Sequence, residues 1–364
     1  MPARSKHAVP PDALARAALG NASADAEFRN DAQRHIFRFR YAGPPRGLRE
    51  ALLERYRYGR GADWAGSFFP ARVRLNGAPV HAHTPVAPGD EIAYLHLRAD
   101  EPPAPPLGAP LHGDEWLLAV AKGDTTPVSP SGLYYFTALA IQARETYGEP
   151  ELTPIHRLDL ETSGPVLFAR RQTHVAACQA LFARKALRKR YRALVHGRFP
   201  PGLREIAGRI VPDTASRIHT RLRLEPADPT AVVLRDEAPH SRNAAAELSL
   251  TRVLSVTHHD LGERGVFSEL ELEPVTGKTN QLRVHLAHVG HPIVGDKKYH
   301  PDEAVFLDWH EHRDFARLAT RLLLPRQALH CEALAFPHPF TGEPLEIRAP
   351  AGLWQAKLAG LLEG

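Results

Sequence analysis

Apolar and polar positions alternate over short stretches for most of this chain, and few segments show the wider spacing of a helix. GLREALLERY (47–56) is one that does: Leu48, Leu52 and Tyr56 recur at i, i+4 and i+8, predicting a short amphipathic helix. ARVRLNGAPV (71–80) then sets Val73 and Leu75 ahead of Asn76-Gly77, a strong hairpin signal. Val80, Val86, Ile92 and Tyr94, around a Gly89-Asp90 turn, predict further short strands. Past residue 110 the strand-like runs are WLLAVA (116–121), PVLFAR (165–170), YRALVHG (191–197), VFSELELEPV (266–275) and PLEIRAP (344–350). QTHVAACQALFARKAL (172–187) predicts the main helix, with Val175, Cys178 or Gln179, and Phe182 on one side. Residues 200–250 have no legible period.

Four segments follow from this texture. Residues 1–35 are polar, Ala-rich and short of large apolar side chains, which predicts a loosely ordered leader. Residues 36–100 form a small α+β module. EPPAPPLGAP (101–110) has five prolines and predicts a stiff, extended linker. Residues 111–364 then form the main domain. Strands dominate there, helices intervene irregularly, and no repeat is evident, so the expected class is α+β around a mostly antiparallel mixed sheet.

Composition narrows the setting. Of 364 residues 43% are hydrophobic and 24% charged, as in an ordinary soluble protein, and 46 basic against 41 acidic side chains leave a mild +5. That balance is compatible with a nucleic-acid partner without requiring one. Two distant cysteines, Cys178 and Cys331, exclude a disulfide framework or a cysteine-rich zinc site and point to a reducing compartment. The N-terminus lacks the apolar stretch of a signal peptide, and no run approaches the ~18 apolar residues of a membrane span. The expectation is a cytoplasmic protein, monomeric by default, with no membrane association.

Several chemical readings fail on spacing. Gly59-Arg60-Gly61 begins like a dinucleotide fingerprint, but Trp64 stands where its last glycine belongs. In GHPIVGDKK (290–298), Asp296 occupies the place of a phosphate-binding lysine. The chain has 21 histidines, among them His285, His288 and His291, yet Gly290 and Pro292 break any helix that would align those three. No metal and no cofactor are expected.

IHRLDLETSG (155–164) puts a histidine, an arginine, two carboxylates and two hydroxyls ahead of a Gly-Pro. Ser163 lacks the flanking glycines of a nucleophile elbow, so Thr162 and Ser163 read as turn or capping residues ahead of Gly164. Asp159 and Glu161, two apart on a strand, would lie ~6–7 Å apart at their backbones, which leaves a glycosidase-like pair geometrically open but otherwise unsupported.

Three ordered motifs decide between these readings: HRLDxxTSG at 156–164, KxYxAxVxG at 189–197 and TGxTxQxRVHLAHxGHPIxGDxxY at 276–299. Together they resemble the RluA-type pseudouridine synthases, and ALHCEALAFPHPFTGEPLEIRAP (328–350) is similar to that family's closing strands. The resemblance covers roughly 111 to 350. Residues 45–100, with VRLNGAPV and VAPGDEI, look like a degenerate version of a small RNA-binding domain first seen in a ribosomal protein. Two departures stand out. The family's NKPxGxxxHP block reads AKGDTTPVSP (121–130), keeping Lys122 and losing the proline and histidine. TGRTHQ reads TGKTNQ, with Lys278 and Asn280, which predicts altered substrate contacts.

The resemblance implies an RNA uridine-to-pseudouridine isomerase acting on ribosomal or transfer RNA without a cofactor. The C1′–N1 bond breaks, the base turns, and C1′ joins C5. Asp159 is the expected nucleophile, since a carboxylate ionised at neutral pH needs no base to activate it. Arg283 is expected to counter the pocket's tendency to neutralise that carboxylate, and Tyr191 to stack on the flipped base. RNA or substrate contact is expected of Arg157, His156, Thr162, Lys189, Arg190, Lys278, Asn280 and Gln281. Within that set His156 reads as a prop for its loop; Glu161, outside it, reads as solvated. Arg184, Lys185, Arg188, Lys189, Arg190 and Arg192 form the densest basic cluster, expected to meet RNA phosphates. No obligate protein partner is implied. The degraded 121–130 block leaves one alternative, a non-catalytic RNA-binding relative that retains the fold.

Overall fold

The computed structural model describes residues 28–55, 72–131, 134–184, 186–226 and 248–362. Most of the expected leader, Tyr56, the Gly59–Trp64 stretch and Lys185 lie outside these residues. The chain divides into two compact units, one running to Pro103 and including 130–137, the other comprising 104–129 and 138–364. The segment 130–137 thus falls with the small unit although the expected boundary assigns it to the main domain.

The small unit is built on β1 (Arg34–Arg40), α1 (Leu48–Arg55), β2 (Val73–Leu75) and β3 (Glu91–Leu97). Strand β3 is central, antiparallel to β1 through Phe37–Tyr94 and to β2 through Leu75–Ile92. Strand β1 begins at Arg34, so ordered structure starts inside the expected leader. Asn76 and Gly77, at φ 51° and 86°, turn the chain back to Ala78–Pro79 as their residue types demand. Leu48 and Leu52 of α1 are buried with Val73, Val86 and Ile92. The buried Glu101 carboxylate accepts hydrogen bonds from the Tyr135, Phe136 and Thr137 amides at 2.8–2.9 Å and lies 2.7 Å from His96 Nε2, which fastens 135–137 into this unit.

The larger unit contains β4 (Leu117–Lys122), α2 (Leu139–Tyr147), β5 (Gly164–Ala169), α3 (Val175–Ala183), β6 (Arg188–His196), β7 (Glu205–Pro212), β8 (Leu222–Pro226), β9 (Leu248–Asp260) and β10 (Val266–Pro274). It continues with α4 (Gln281–His288), α5 (Ala304–His312), β11 (Leu329–Pro337), β12 (Pro344–Arg348) and α6 (Ala351–Leu362). Seven strands form one antiparallel sheet in the order β8-β7-β9-β10-β6-β11-β12. Strands β4 and β5 pair antiparallel in a second sheet. A parallel bridge between Ser163 and His330 joins the start of β5 to β11. This junction brings the 156–164 motif beside β6 and β11. Gly164 permits it: at φ 138°, an added Cβ would stand 2.4 Å from the Cys331 carbonyl oxygen.

Three elements differ from expectation. QLRVHLAH (281–288) is a helix, whereas the third motif, which contains it, reads in sequence as polar residues embedded in a strand-like run. Its alternating Leu282, Val284 and Leu286 imitate a strand because the helix is buried nearly all round, which removes the amphipathic spacing. Residues 157–160 are irregular rather than extended. The 13-residue β9 runs from the least legible part of the chain, its alternation broken by an irregularity between Val253 and Ser255.

Candidate active site

Two loops and two regular elements converge on one cleft of the larger unit. The cleft is lined by Arg157, Asp159 and Thr162 of the first motif, Lys189 and Tyr191 of β6, Lys278 and Asn280 of the second loop, and Gln281 and Arg283 of α4.

Arg283 organises its floor. The guanidinium donates Nε–H to Asp296 Oδ2 at 2.6 Å and Nη2–H to Asp296 Oδ1 at 2.9 Å, a bidentate pair. The third nitrogen, Nη1, donates to Asp159 Oδ2 at 2.9 Å. One cation is thus shared between two carboxylates. Burial works against the charge on Arg283, but Asp296 and Asp159 more than offset it and hold the guanidinium well above its usual range. Burial likewise opposes the Asp296 carboxylate, and Arg283 with the Tyr299 amide holds it below the usual range. Gly295 makes this possible, because at φ 78° its Cα faces the Arg326 carbonyl where a Cβ would come within 2.2 Å. Among the described residues Asp159 Oδ1 accepts no hydrogen bond, so one carboxylate oxygen is held and the other is open to the cleft.

The loop that carries Asp159 is fixed from Asp159 to Thr162. Thr162 N–H donates to the Asp159 carbonyl at 3.0 Å. Lys122, fully buried, donates Nζ–H bonds to the carbonyls of Gly123, Leu160 and Thr162 at 2.7–2.8 Å. The Thr162 hydroxyl accepts from Gln327 Nε2 at 2.7 Å. Glu161 is not solvated as expected: it accepts two bonds from the buried Lys297 ammonium, at 2.7 and 3.0 Å, and one from the Gln327 amide. Lys297 and Gln327, which hold it, lie far along the chain and outside the first motif.

Tyr191 is buried at the cleft wall. Burial, reinforced by Cys331 and Asp159, raises its phenol well above its ordinary range, so the hydroxyl keeps its proton and can donate it to a hydrogen bond. Asn280 sits at φ 56° ahead of α4, a conformation asparagine tolerates, and donates Nδ2–H to the Tyr299 hydroxyl at 3.0 Å. Arg283 lies 5.1 Å over the Tyr299 ring. Arg157 is exposed at the cleft rim. Lys189 is partly buried there, its Nζ 5.4 Å over the Phe182 ring, and burial lowers its ammonium from the usual value. Neither residue meets a carboxylate among the described residues. Lys298 stands near Arg283; burial and then that guanidinium push it down to about 8.

Four expected contacts take a different form. His156 does not line the cleft. Its Nε2 accepts the Leu167 amide proton at 3.0 Å, and burial with the nearby Lys189 charge pushes the imidazole down to about 3, so it is a neutral prop between loop and β5. Gln281 lines the cleft, but its amide is committed to the protein: Oε1 accepts from Thr276 Oγ1 and Lys278 N–H, and Nε2 donates to the Leu250 carbonyl and Thr251 Oγ1. It pins the 276–281 loop to β9. Thr162 lines the cleft with its hydroxyl already bonded to Gln327. Arg190 lies outside the cleft and pairs with Glu271 at 3.0 Å. Arg188 meets Glu273, and Arg192 meets Glu269 and Glu332, so much of the expected basic cluster is an ion-paired sheet face. Among the described residues no three His, Cys, Asp or Glu side chains converge as a metal ion would require.

Residues 116–288 match the family described as RNA pseudouridylate synthase. The chain is 31% identical over 258 residues to the dual-specificity RNA pseudouridine synthase RluA of Pasteurella multocida, covering 68% of this chain and 95% of that protein. The chain belongs to the RluA-type pseudouridine synthase family. It is an RNA pseudouridine synthase, an isomerase. Another relative, the ribosomal large subunit pseudouridine synthase C of Escherichia coli, is 28% identical over 296 residues, with 76% of this chain and 81% of that one covered. Among solved structures, human RNA pseudouridylate synthase domain containing 1 aligns at 26% identity with a TM-score of 0.48, over 69% of this chain and 86% of that one.

Proposed function

We propose that this pseudouridine synthase uses Asp159 as its nucleophile on specific uridines of ribosomal or transfer RNA. The observation that carries the reading is the shared guanidinium: Arg283 holds one oxygen of Asp159 at 2.9 Å while Asp296 holds Arg283 from behind. The free oxygen attacks either C1′ or the base ring. The C1′–N1 bond breaks, uracil turns within the cleft and C1′ bonds C5; the bond to Asp159 breaks as C5 takes its place at C1′, or as the ring adduct eliminates, which returns the carboxylate. The hydrogen at C5 leaves as a proton and N1 gains one. Atoms balance, so no co-reactant is required.

Tyr191 forms the stacking wall and supplies a protonated hydroxyl in a water-poor pocket. Arg157, Lys189 and Lys278 meet the RNA backbone around the extruded nucleotide, whose unstacking costs a few kcal/mol. Asn280 acts through Tyr299 and Arg283, and Gln281 and His156 through the loops they fix. The small unit, which resembles a small RNA-binding domain, contributes further RNA contact. The enzyme works as a monomer in the cytoplasm; no described helix is long and apolar enough to cross a membrane.

RNA carrying tritium at C5 of every uridine, extracted from cells lacking this protein, tests the reading. Wild type releases tritium to water and Asp159→Asn does not. Tritium remaining on free uracil would mean hydrolysis, and release by Asp159→Asn at the wild-type rate would remove Asp159 from its role.

A further inference from the structure

The 121–130 block, where the chain departs from its family's pattern, makes a connection that the catalytic cleft does not itself require. Asp124 accepts a hydrogen bond from Lys357 Nζ at 2.6 Å. Lys357 lies on α6, is buried, and also donates to the Gln327 carbonyl at 3.2 Å. Gln327 in turn donates its main-chain N–H to Glu161 and its side-chain amide to Thr162. From the other side Lys122, two residues before Asp124, donates to the carbonyls of Leu160 and Thr162. The C-terminal helix therefore reaches the 159–162 loop by two routes that meet at one ammonium. Burying that ammonium carries a desolvation penalty, and helix packing alone has no use for it, since Trp354 and Leu361 already bury the helix against the core.

We propose that Lys357 is a positioning residue for pseudouridine formation: through Asp124 and Gln327 it sets the 159–162 loop, and the charge of Lys122 beneath it, in the geometry that presents Asp159. This rests on the reading of Asp159 as the reacting carboxylate.

The electrostatics give the proposal a signature. The charged groups acting on Lys122 are Asp124, Asp159 and Glu161, which favour its proton, and Lys357, which disfavours it. Burial pushes Lys122 down to about 7, with Asp124 the foremost group opposing that fall. Only the ammonium form has three N–H donors for its three carbonyls; the free amine has two. Asp124 is thus divided among Lys357, Lys122 and Arg326, whose Nε lies 3.7 Å from its Oδ1. Neutralising Lys357 removes a cation that opposes the Lys122 charge and leaves more of Asp124 to Lys122, which then keeps its proton to higher pH. Neutralising Asp124 has the opposite effect. A lysine that merely clamped the helix would move neither.

The test is single-turnover tritium release by the full chain, on C5-tritiated total RNA from cells lacking the protein, from about pH 6 to about pH 9.5. It compares wild type, Lys357→Met, Lys357→Arg, Asp124→Asn and Asp159→Asn, with filter binding to the same RNA and urea melts. Lys357→Met is expected to lower the rate at neutral pH about tenfold by loosening the loop, with RNA affinity within about twofold. Lys357→Arg restores most of the rate. The alkaline limb moves up in Lys357→Met and down in Asp124→Asn. Unchanged rates and limbs, shifts of the same sign, or a loss confined to the melts would overturn the proposal. Should Lys357→Met not fold, the downward limb of the near-isosteric Asp124→Asn, set against an unmoved limb in Lys357→Arg, decides the matter. Wild-type release by Asp159→Asn would defeat the nucleophile reading separately, while opposed limb shifts would still report the link from helix to loop.

Discussion

The two sides of strand β6 carry similar residues in different surroundings. Lys189 and Tyr191 line the cleft, where Arg283 meets Asp159 at 2.9 Å; on the other side Arg190 meets Glu271 at 3.0 Å. The distances are almost equal. Exposure is not: the Arg190 and Glu271 side chains are 44% and 28% exposed, whereas Arg283 is 13% exposed, Asp159 23%, and Asp296, which holds Arg283 from behind, 0%. Water and salt screen the first pair, leaving it worth about 0–1 kcal/mol. The second cannot lose a partner without stranding a buried charge. Contact distance therefore says little about which charged residues matter, and burial says much. The outer face is self-neutralised, Arg188, Arg190 and Arg192 against Glu269, Glu271, Glu273 and Glu332. At the cleft rim Arg157 and Lys189 meet no carboxylate among the described residues and so present cations to a polyanion.

The largest effect that would sharpen this contrast is Arg283→Met. It strands Asp296 and should cost about 3–5 kcal/mol of stability at neutral pH, read by urea unfolding. The sign with pH follows from Asp296, whose folded carboxyl lies below its ordinary value. Its pairing stabilises above the unfolded pKa and is lost as pH falls through the folded one. The deficit of the variant should therefore shrink once the pH falls below the ordinary carboxylate value; an equal deficit at neutral pH and well below that value would break the argument. Gln281→Leu is next. Stranding the partners of a fully bonded buried amide should cost about 2–3 kcal/mol and slow catalysis through the loop bearing Lys278 and Asn280. A neutral result would mean that loop is held otherwise. Smallest is Arg190→Ala on the outer face, expected within about 0.5 kcal/mol of wild type, with tritium release unchanged within about twofold. A large loss there would erase the distinction between the faces.

Much of this organisation is legible in the chain itself. Asn76-Gly77, the β4 and β5 runs, the α3 segment and the motifs around Asp159, Tyr191 and Arg283 all announce themselves locally. What does not is set by partners remote in sequence. The arginines of 188–192 read as an RNA-facing cluster because Glu269, Glu271 and Glu273, which neutralise them, arrive from a strand about eighty residues on. Glu161 reads as solvated for the same reason, its partner Lys297 lying beyond α4. Helix α4 is hidden by burial, since a helix with Leu282, Val284, His285 and Leu286 all enclosed has no polar face to mark its period. Gln281 reads as a substrate contact because nothing in TGKTNQ shows that β9 already takes its amide.

Central to this account is that a single planar fork, serving two carboxylates at once, positions the nucleophile. Arg283→Lys tests it most directly, because it keeps the charge and removes the fork. In single-turnover assays at saturating C5-tritiated RNA, tritium release should fall about 100-fold while RNA affinity stays near wild type. A release rate within about threefold of wild type would contradict the account, since a point charge would then serve as well as the fork.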